Sequence, residues 1–155
     1  MTDNALPLIG WREWVFLQSF DGIPIKAKVD TGARTSALHA FQIDTFNRDN
    51  QLWVRFGLHP RQQNTDYVVT CEAPVKDRRQ VTDSGGHKEM RYVIETLLSF
   101  NGQTFVTEVT LTDRENMRFR MLLGRTALKK RYLVDSGRSF ILGGDQQQPP
   151  RIPIR

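Results

Sequence analysis

Ile23-Pro24-Ile25-Lys26-Ala27-Lys28-Val29-Asp30-Thr31-Gly32-Ala33 is the stretch on which the reading of this chain turns. Ile23, Ile25, Ala27 and Val29 alternate with Pro24, Lys26 and Lys28, the period-two pattern of a strand with one buried face. That strand delivers a carboxylate, Asp30, to a Thr-Gly turn. Before it, Trp14-Val15-Phe16-Leu17 reads as another strand, and Phe20-Asp21-Gly22 as the hairpin turn between them, because Asp-Gly tolerates positive φ. After it, Thr35 to Thr45 and Gln51 to Leu58 are rich in aromatic and branched residues, with Asn47-Arg48-Asp49-Asn50 as the turn. The first sixty residues are therefore expected to form a β meander.

The pattern continues downstream. Tyr67 to Val75 reads as a strand, followed by the charged Lys76-Asp77-Arg78-Arg79. A polar tip, Thr82-Asp83-Ser84-Gly85-Gly86-His87, leads into Met90 to Phe100, and two strands joined through such a tip predict an extended hairpin. Asn101-Gly102 is a further turn signal, and Phe105, Val109 and Leu111 continue the sheet. Gly124 to Lys130 alone has helical character. Tyr132 to Val134 and Ser139 to Leu142 read as a last hairpin across Asp135-Ser136-Gly137-Arg138, and Gln146-Gln147-Gln148-Pro149-Pro150 has the composition of a loose tail. The expected division is an N-terminal extension over 1–10, one all-β domain with a short C-terminal helix over 11–143, and a flexible tail over 144–155.

With 155 residues the chain is long enough to bury a core without covalent staples. The only cysteine, Cys71, excludes an intramolecular disulfide and suggests a reducing compartment. No apolar run approaches a membrane span and no signal-peptide pattern opens the chain, so a soluble, cytoplasmic protein is expected. The net charge of +5 comes from arginines scattered through the sequence. Because they are not interleaved with aromatics in a run, nucleic-acid binding is not expected.

Asp30 has a chemical use in this setting. Two carboxylates held about 3 Å apart share one proton, and such a pair can activate water while protonating a carbonyl oxygen. Gly32 permits close backbone approach, and the Thr31 hydroxyl can brace the loop. One chain offers one such loop, so the partner carboxylate would come from a second copy in a two-fold homodimer. Asp135-Ser136-Gly137 is read as a turn, since no second lobe follows it.

Val29-Asp30-Thr31-Gly32-Ala33 and, well downstream, Met121-Leu122-Leu123-Gly124-Arg125 leading into a short helix are similar to the two hallmark segments of retropepsins, the dimeric aspartic peptidases of retroviruses and their cellular relatives. The span from Trp11 to Leu142, including Lys28 to Leu38 and Leu111-Thr112-Asp113-Arg114, more specifically resembles the bacterial and archaeal family named as ATP-dependent zinc proteases. Its members are often associated with ATP-grasp ligases that append glutamate to proteins. The resemblance implies a closed acid-protease β-barrel, an apolar-apolar-Gly loop packed under the catalytic loop, and peptide hydrolysis by an Asp dyad. Asp30 would be the catalytic carboxylate, Thr31 and Gly32 its supports, and the hairpin around Ser84, Gly85 and Gly86 the flap over substrate beside Ala33.

Viral relatives usually carry an acidic residue where this chain has Arg34, while Arg125 keeps the expected arginine. Two cations in one region suggest a carboxylate-bearing, glutamate-rich peptide as substrate. Zinc finds little support, because His39, His59, His87 and Cys71 are far apart in sequence and no His-Glu-x-x-His occurs. No phosphate-binding loop is present, so no cofactor is expected. The rival readings are a barrel that lost turnover and serves a peptide-modifying ligase as adaptor, and a metallopeptidase as the family label says.

Overall fold

The computed structural model describes residues 5–61, 64–83, 85–100, 102–114 and 116–142, which are mostly strand. In chain order the strands are β1 (Leu8–Gly10), β2 (Arg12–Leu17), β3 (Ile23–Val29), β4 (Ser36–His39), β5 (Phe41–Arg48), β6 (Gln51–Leu58), β7 (Val69–Pro74), β8 (Asp77–Thr82), β9 (Lys88–Phe100), β10 (Gln103–Thr112), β11 (Met121–Leu123) and β12 (Leu133–Asp135). One helical turn, α1 (Arg125–Leu128), lies between the last two.

Alternation decides which face of each strand is buried. In β3, Ile23, Ile25 and Ala27 are buried, and in β2 Val15 and Leu17 point the same way. Seven strands pair in the order β10-β4-β11-β3-β2-β9-β8, and β10 also pairs with β9, so the run of ladders that leaves β10 returns to it. A second sheet, β5-β6-β7, packs Val54, Phe56, Cys71 and Ala73 into the same core as Leu17, Leu38, Ile94, Leu98 and Leu123. Each large side chain fully buried here stabilises the fold by about 1.5–3 kcal/mol.

Several sequence expectations are corrected. The first sixty residues are not a meander, because β11 from far downstream lies between β3 and β4. The 35–45 stretch is two strands, broken at Ala40, with Gln42 at φ 50° next to the bulge that opens β5. The extended hairpin is built from β8 and β9, its first arm being the charged segment after β7, which pairs instead with β6. No hairpin joins 132–134 to 139–142. Instead β12 pairs in parallel with β1, Leu8 opposite Leu133 and Gly10 opposite Asp135. Asn101, part of an expected turn, and the expected tail 144–155 lie outside the described residues.

The segment after β12 is held by a carboxylate. Glu13 sits in phase with Val15 and Leu17 on the buried face of β2 and is fully buried. Its Oε2 accepts the amides of Gly10 at 2.6 Å and Ile141 at 3.1 Å, and its Oε1 accepts that of Leu142 at 3.2 Å. Backbone bonds from Trp11 to the Arg138 carbonyl and from Phe140 to the Arg12 carbonyl, both 2.9 Å, flank it. Three amide donors offset the cost of burying the charge.

The insertion of β11 also builds the loop that follows β3. β11 runs parallel to β3, with Leu123 opposite Val29, and antiparallel to β4, with Met121 opposite Leu38. The Asp30 amide donates to the Leu123 carbonyl at 2.8 Å, and the carbonyls of Ala33 and Arg34 accept the amides of Arg125 and Thr126, both at 2.9 Å. The Gly124 amide donates to Ser36 Oγ at 3.0 Å. A Cβ on Gly124 would lie 2.6 Å from the carbonyl carbon of Thr35 and 2.9 Å from the amide of Ser36, so the loop crosses at a height only glycine allows.

Replacing Glu13 with Ala should lower unfolding free energy in urea by at least about 3 kcal/mol, since three amides lose a charged acceptor; a loss under about 1 kcal/mol would show that water substitutes readily. Gly124→Ala should cost about 1–3 kcal/mol in the same assay, as one backbone must move away from the other. Burial, with a smaller contribution from Asp21, pushes the Cys71 thiol up to about 12. Labelling by a thiol reagent at about pH 8 should therefore wait for unfolding, and rapid labelling of the native protein would reveal opening of β7.

Candidate active site

Asp30 emerges from β3 half-buried, while Thr31 and Gly32 beyond it are exposed. Its Oδ1 accepts the Gly32 amide at 3.1 Å, which fixes the carboxylate plane. Its Oδ2 accepts no hydrogen bond among the described residues. A Cβ on Gly32 would approach Oδ1 to 3.3 Å, so the glycine lets the turn close tightly on the acid.

The carboxylate borders a cavity of about 380 Å³. Gly32, Ala33 and Thr35 continue one wall, Val81, Thr82 and Asp83 at the end of β8 form another, and Arg91, Thr112 and Arg114 contribute from β9 and the end of β10. Arg91 is 7% exposed and is in phase with buried Val93 in β9. Its Nε donates to Glu89 Oε2 at 2.7 Å and its Nη1 to Thr110 Oγ1 at 3.3 Å. Thr110 Oγ1 in turn donates to the Ser36 carbonyl at 3.3 Å, and Thr112 Oγ1 donates to Glu89 Oε2 at 2.9 Å. Asp83 Oδ1 accepts the amides of Gly85 and His87, both at 2.9 Å. These donors, the His87 amide foremost, hold the Asp83 carboxyl below its usual range.

The residues nominated from sequence separate into groups. Asp30, Gly32 and Ala33 line the cavity together. Thr31 and Arg125 instead border a shallower hollow of about 500 Å³ with Leu128, Lys129, Tyr132 and Val134. Arg125 braces the loop, its Nη1 donating to the Thr31 carbonyl at 3.0 Å. Arg34 is exposed, lines neither space, and contributes to the field that holds the Glu108 carboxyl low, after the larger effects of Arg79 and Lys76. Gly85 and Gly86 are exposed beyond the cavity rim, and Ser84 lies outside the described residues. Arg91, Arg114 and Asp83 were not singled out from sequence, although the alternation that carries Val93 inward carries Arg91 with it. Among the described residues no three His, Cys, Asp or Glu side chains converge as a metal-binding group.

A carboxyl group at the wall of a cavity can accept a proton from water when ionised or donate one to a carbonyl when protonated, and two such groups together can do both. Several known proteins are similar to this chain. Curated proteins called probable alpha-L-glutamate ligase match it: that of Shewanella pealeana is 45% identical over 144 residues, 92% of this chain and 31% of the relative, and that of Desulfotalea psychrophila is 44% identical over 142, 91% and 30%. That of Parasynechococcus marenigrum is 43% identical over 152 residues, 96% of this chain and 32% of the relative. The chain thus spans about a third of the length of these relatives. A crystal structure of a Legionella pneumophila protein of unknown function superposes with a TM-score of 0.75 at 21% identity, covering 89% of this chain and 99% of that one, which is a likeness of fold. The family model described as retropepsin-like aspartic endopeptidase RimB matches residues 8–144, and the chain therefore belongs to the RimB-like family of retropepsin-like domains.

Proposed function

We propose that the protein is an aspartic endopeptidase whose active form pairs Asp30 of two copies across a two-fold axis. The observation that carries this reading is the exposure of Thr31 and Gly32 beside a half-buried Asp30 whose Oδ2 accepts no hydrogen bond among the described residues, which leaves a matching loop from a second copy a route to it. In the reaction, the ionised member of the pair takes a proton from a water held between the two carboxyl groups. The oxygen of that water attacks the peptide carbonyl carbon, and the protonated member donates to the carbonyl oxygen. The tetrahedral intermediate then collapses as the C–N bond breaks: the leaving nitrogen takes a proton from the protonated member, and a hydroxyl of the intermediate gives its proton to the ionised member, which restores the pair.

The supporting parts belong to the same reading. The double pairing of β9 supports a closed barrel as the rigid frame. The β8–β9 hairpin, whose Val81, Thr82 and Asp83 border the cavity, would cover a bound peptide and exclude water. The arginines at the cavity favour acidic or glutamate-modified segments, in a cytoplasmic setting. Association with a glutamate ligase is proposed from the names of the relatives, and those names also favour the second reading, an adaptor domain that serves such a ligase without turnover.

Asp30→Asn should reduce peptide cleavage by a factor of about 10² to 10⁴ with folding and assembly unchanged, and a fully active variant would remove the mechanism. Mixing wild-type protein with excess Asp30→Asn should depress activity per wild-type subunit, because mixed dimers hold one acid. Activity that is indifferent to the mixing ratio would point to a site complete within one chain.

A further inference from the structure

The cavity beside Asp30 holds two arginines that differ in how they are held. Arg91 is fixed: Glu89 takes Nε, Thr110 takes Nη1, and Nη2 makes no hydrogen bond among the described residues. Thr110 is tied to the Ser36 carbonyl, and Ser36 Oγ to the Gly124 amide, so this guanidinium rides on the framework that seats the Asp30 loop. Arg114 is fixed only at its backbone. Its amide donates to His39 Nδ1 at 3.2 Å and its carbonyl accepts the Met117 amide at 2.9 Å, while its side chain is 43% exposed.

Facing Arg114 is a carboxylate of the chain itself. The amides of Gly85 and His87 go to Asp83 Oδ1, leaving Oδ2 directed at Arg114 Nη1 at 3.9 Å. Asp83 belongs to the β8 side of the cavity and Arg114 to the segment after β10, so the contact spans the two sides. At that length and exposure an ion pair is weak, and a carboxylate able to form a closer, two-pronged contact would displace it.

We propose that Arg91 and Arg114 form a subsite that reads side-chain carboxylates of a peptide bound beside Asp30, and that Asp83 is the internal carboxylate such a peptide displaces from Arg114. This rests on the peptidase reading for its place in a reaction, but not for its binding chemistry. Arg91 supplies a rigid nitrogen at the cavity wall, and Arg114 a mobile one at its edge. A neutral isostere such as glutamine offers either arginine one uncharged acceptor and no two-pronged contact, and must also leave the Asp83–Arg114 pair intact or break it without replacing its charge. Charge selectivity would thus come from exchange of one carboxylate for another.

The test is equilibrium binding, by anisotropy, of a fluorescent tetraglutamate peptide capped at both ends, against its tetraglutamine counterpart. Asp30→Asn protein serves as the background, so that no turnover is involved. The capping leaves side-chain carboxylates as the only peptide anions. The glutamate peptide should bind tighter, and Asp83→Asn should tighten it about two- to fivefold, the worth of an exposed ion pair. Arg114→Gln should weaken it at least about tenfold and abolish the effect of Asp83→Asn. Arg91→Lys, which keeps charge but loses the fork, should weaken it too. Exposed Arg114 keeps the test decisive if an Arg91 variant folds poorly. Equal binding of the two peptides, or an Asp83→Asn effect that persists without Arg114, would overturn the subsite. Neither result bears on whether Asp30 cleaves, which the activity of the Asp30→Asn variant decides separately.

Discussion

The hydrogen bond from the Asp30 amide to the Leu123 carbonyl is the constraint around which the site is organised. It exists because β11 has inserted between two strands that are consecutive in sequence, leaving the connection between β3 and β4 to arch over the end of a third strand. An arch over a strand end needs donors and acceptors of its own, and here they come from Gly124, Arg125 and Thr126, at the start of α1. The acid therefore sits on a bend satisfied at both shoulders by one short downstream segment. Its position is as rigid as the packing of Leu123 in the core.

Three buried polar side chains of this domain follow a common rule. Glu13, Arg91 and Ser36 are buried, and each is bound to the groups that replace water for it: three amides for Glu13, a carboxylate and a hydroxyl for Arg91, an amide on the hydroxyl of Ser36. Such groups contribute less net stability than apolar packing, but they permit only one arrangement of the segments they join. Glu13 fixes the segment after β12 against β2, and the Arg91-Thr110-Ser36 series fixes one wall of the cavity against the Asp30 loop. The aliphatic core supplies the bulk of the driving force, and these contacts choose the register.

Much of the strand content was legible because alternation is local. The β3 pattern ending in Asp30-Thr31-Gly32 is written plainly in the sequence, as is the Leu122-Leu123-Gly124 segment once its resemblance is noticed. The neighbours of each strand were not legible. Nothing within Met121–Leu123 says that it threads between β3 and β4, since three apolar residues fit many surroundings. The charged segment after β7 looked like a loop because its β8 residues are mostly exposed, yet it pairs along β9 for six residues. The site residues divide in the same way. Asp30, Gly32 and Ala33 carried a local signature. Arg91 was hidden by its charge, which suggests solvent although its register points inward, and Arg34 and Arg125 drew attention through adjacency to motifs while the fold sends them away from the cavity.

The parallel pairing of β1 with β12, locked by Glu13, brings an early and a late stretch of the domain side by side. A parallel pair cannot be closed by a short turn, so this contact forms only when the whole intervening chain has folded back on itself, and it draws the loop-closure cost of that span.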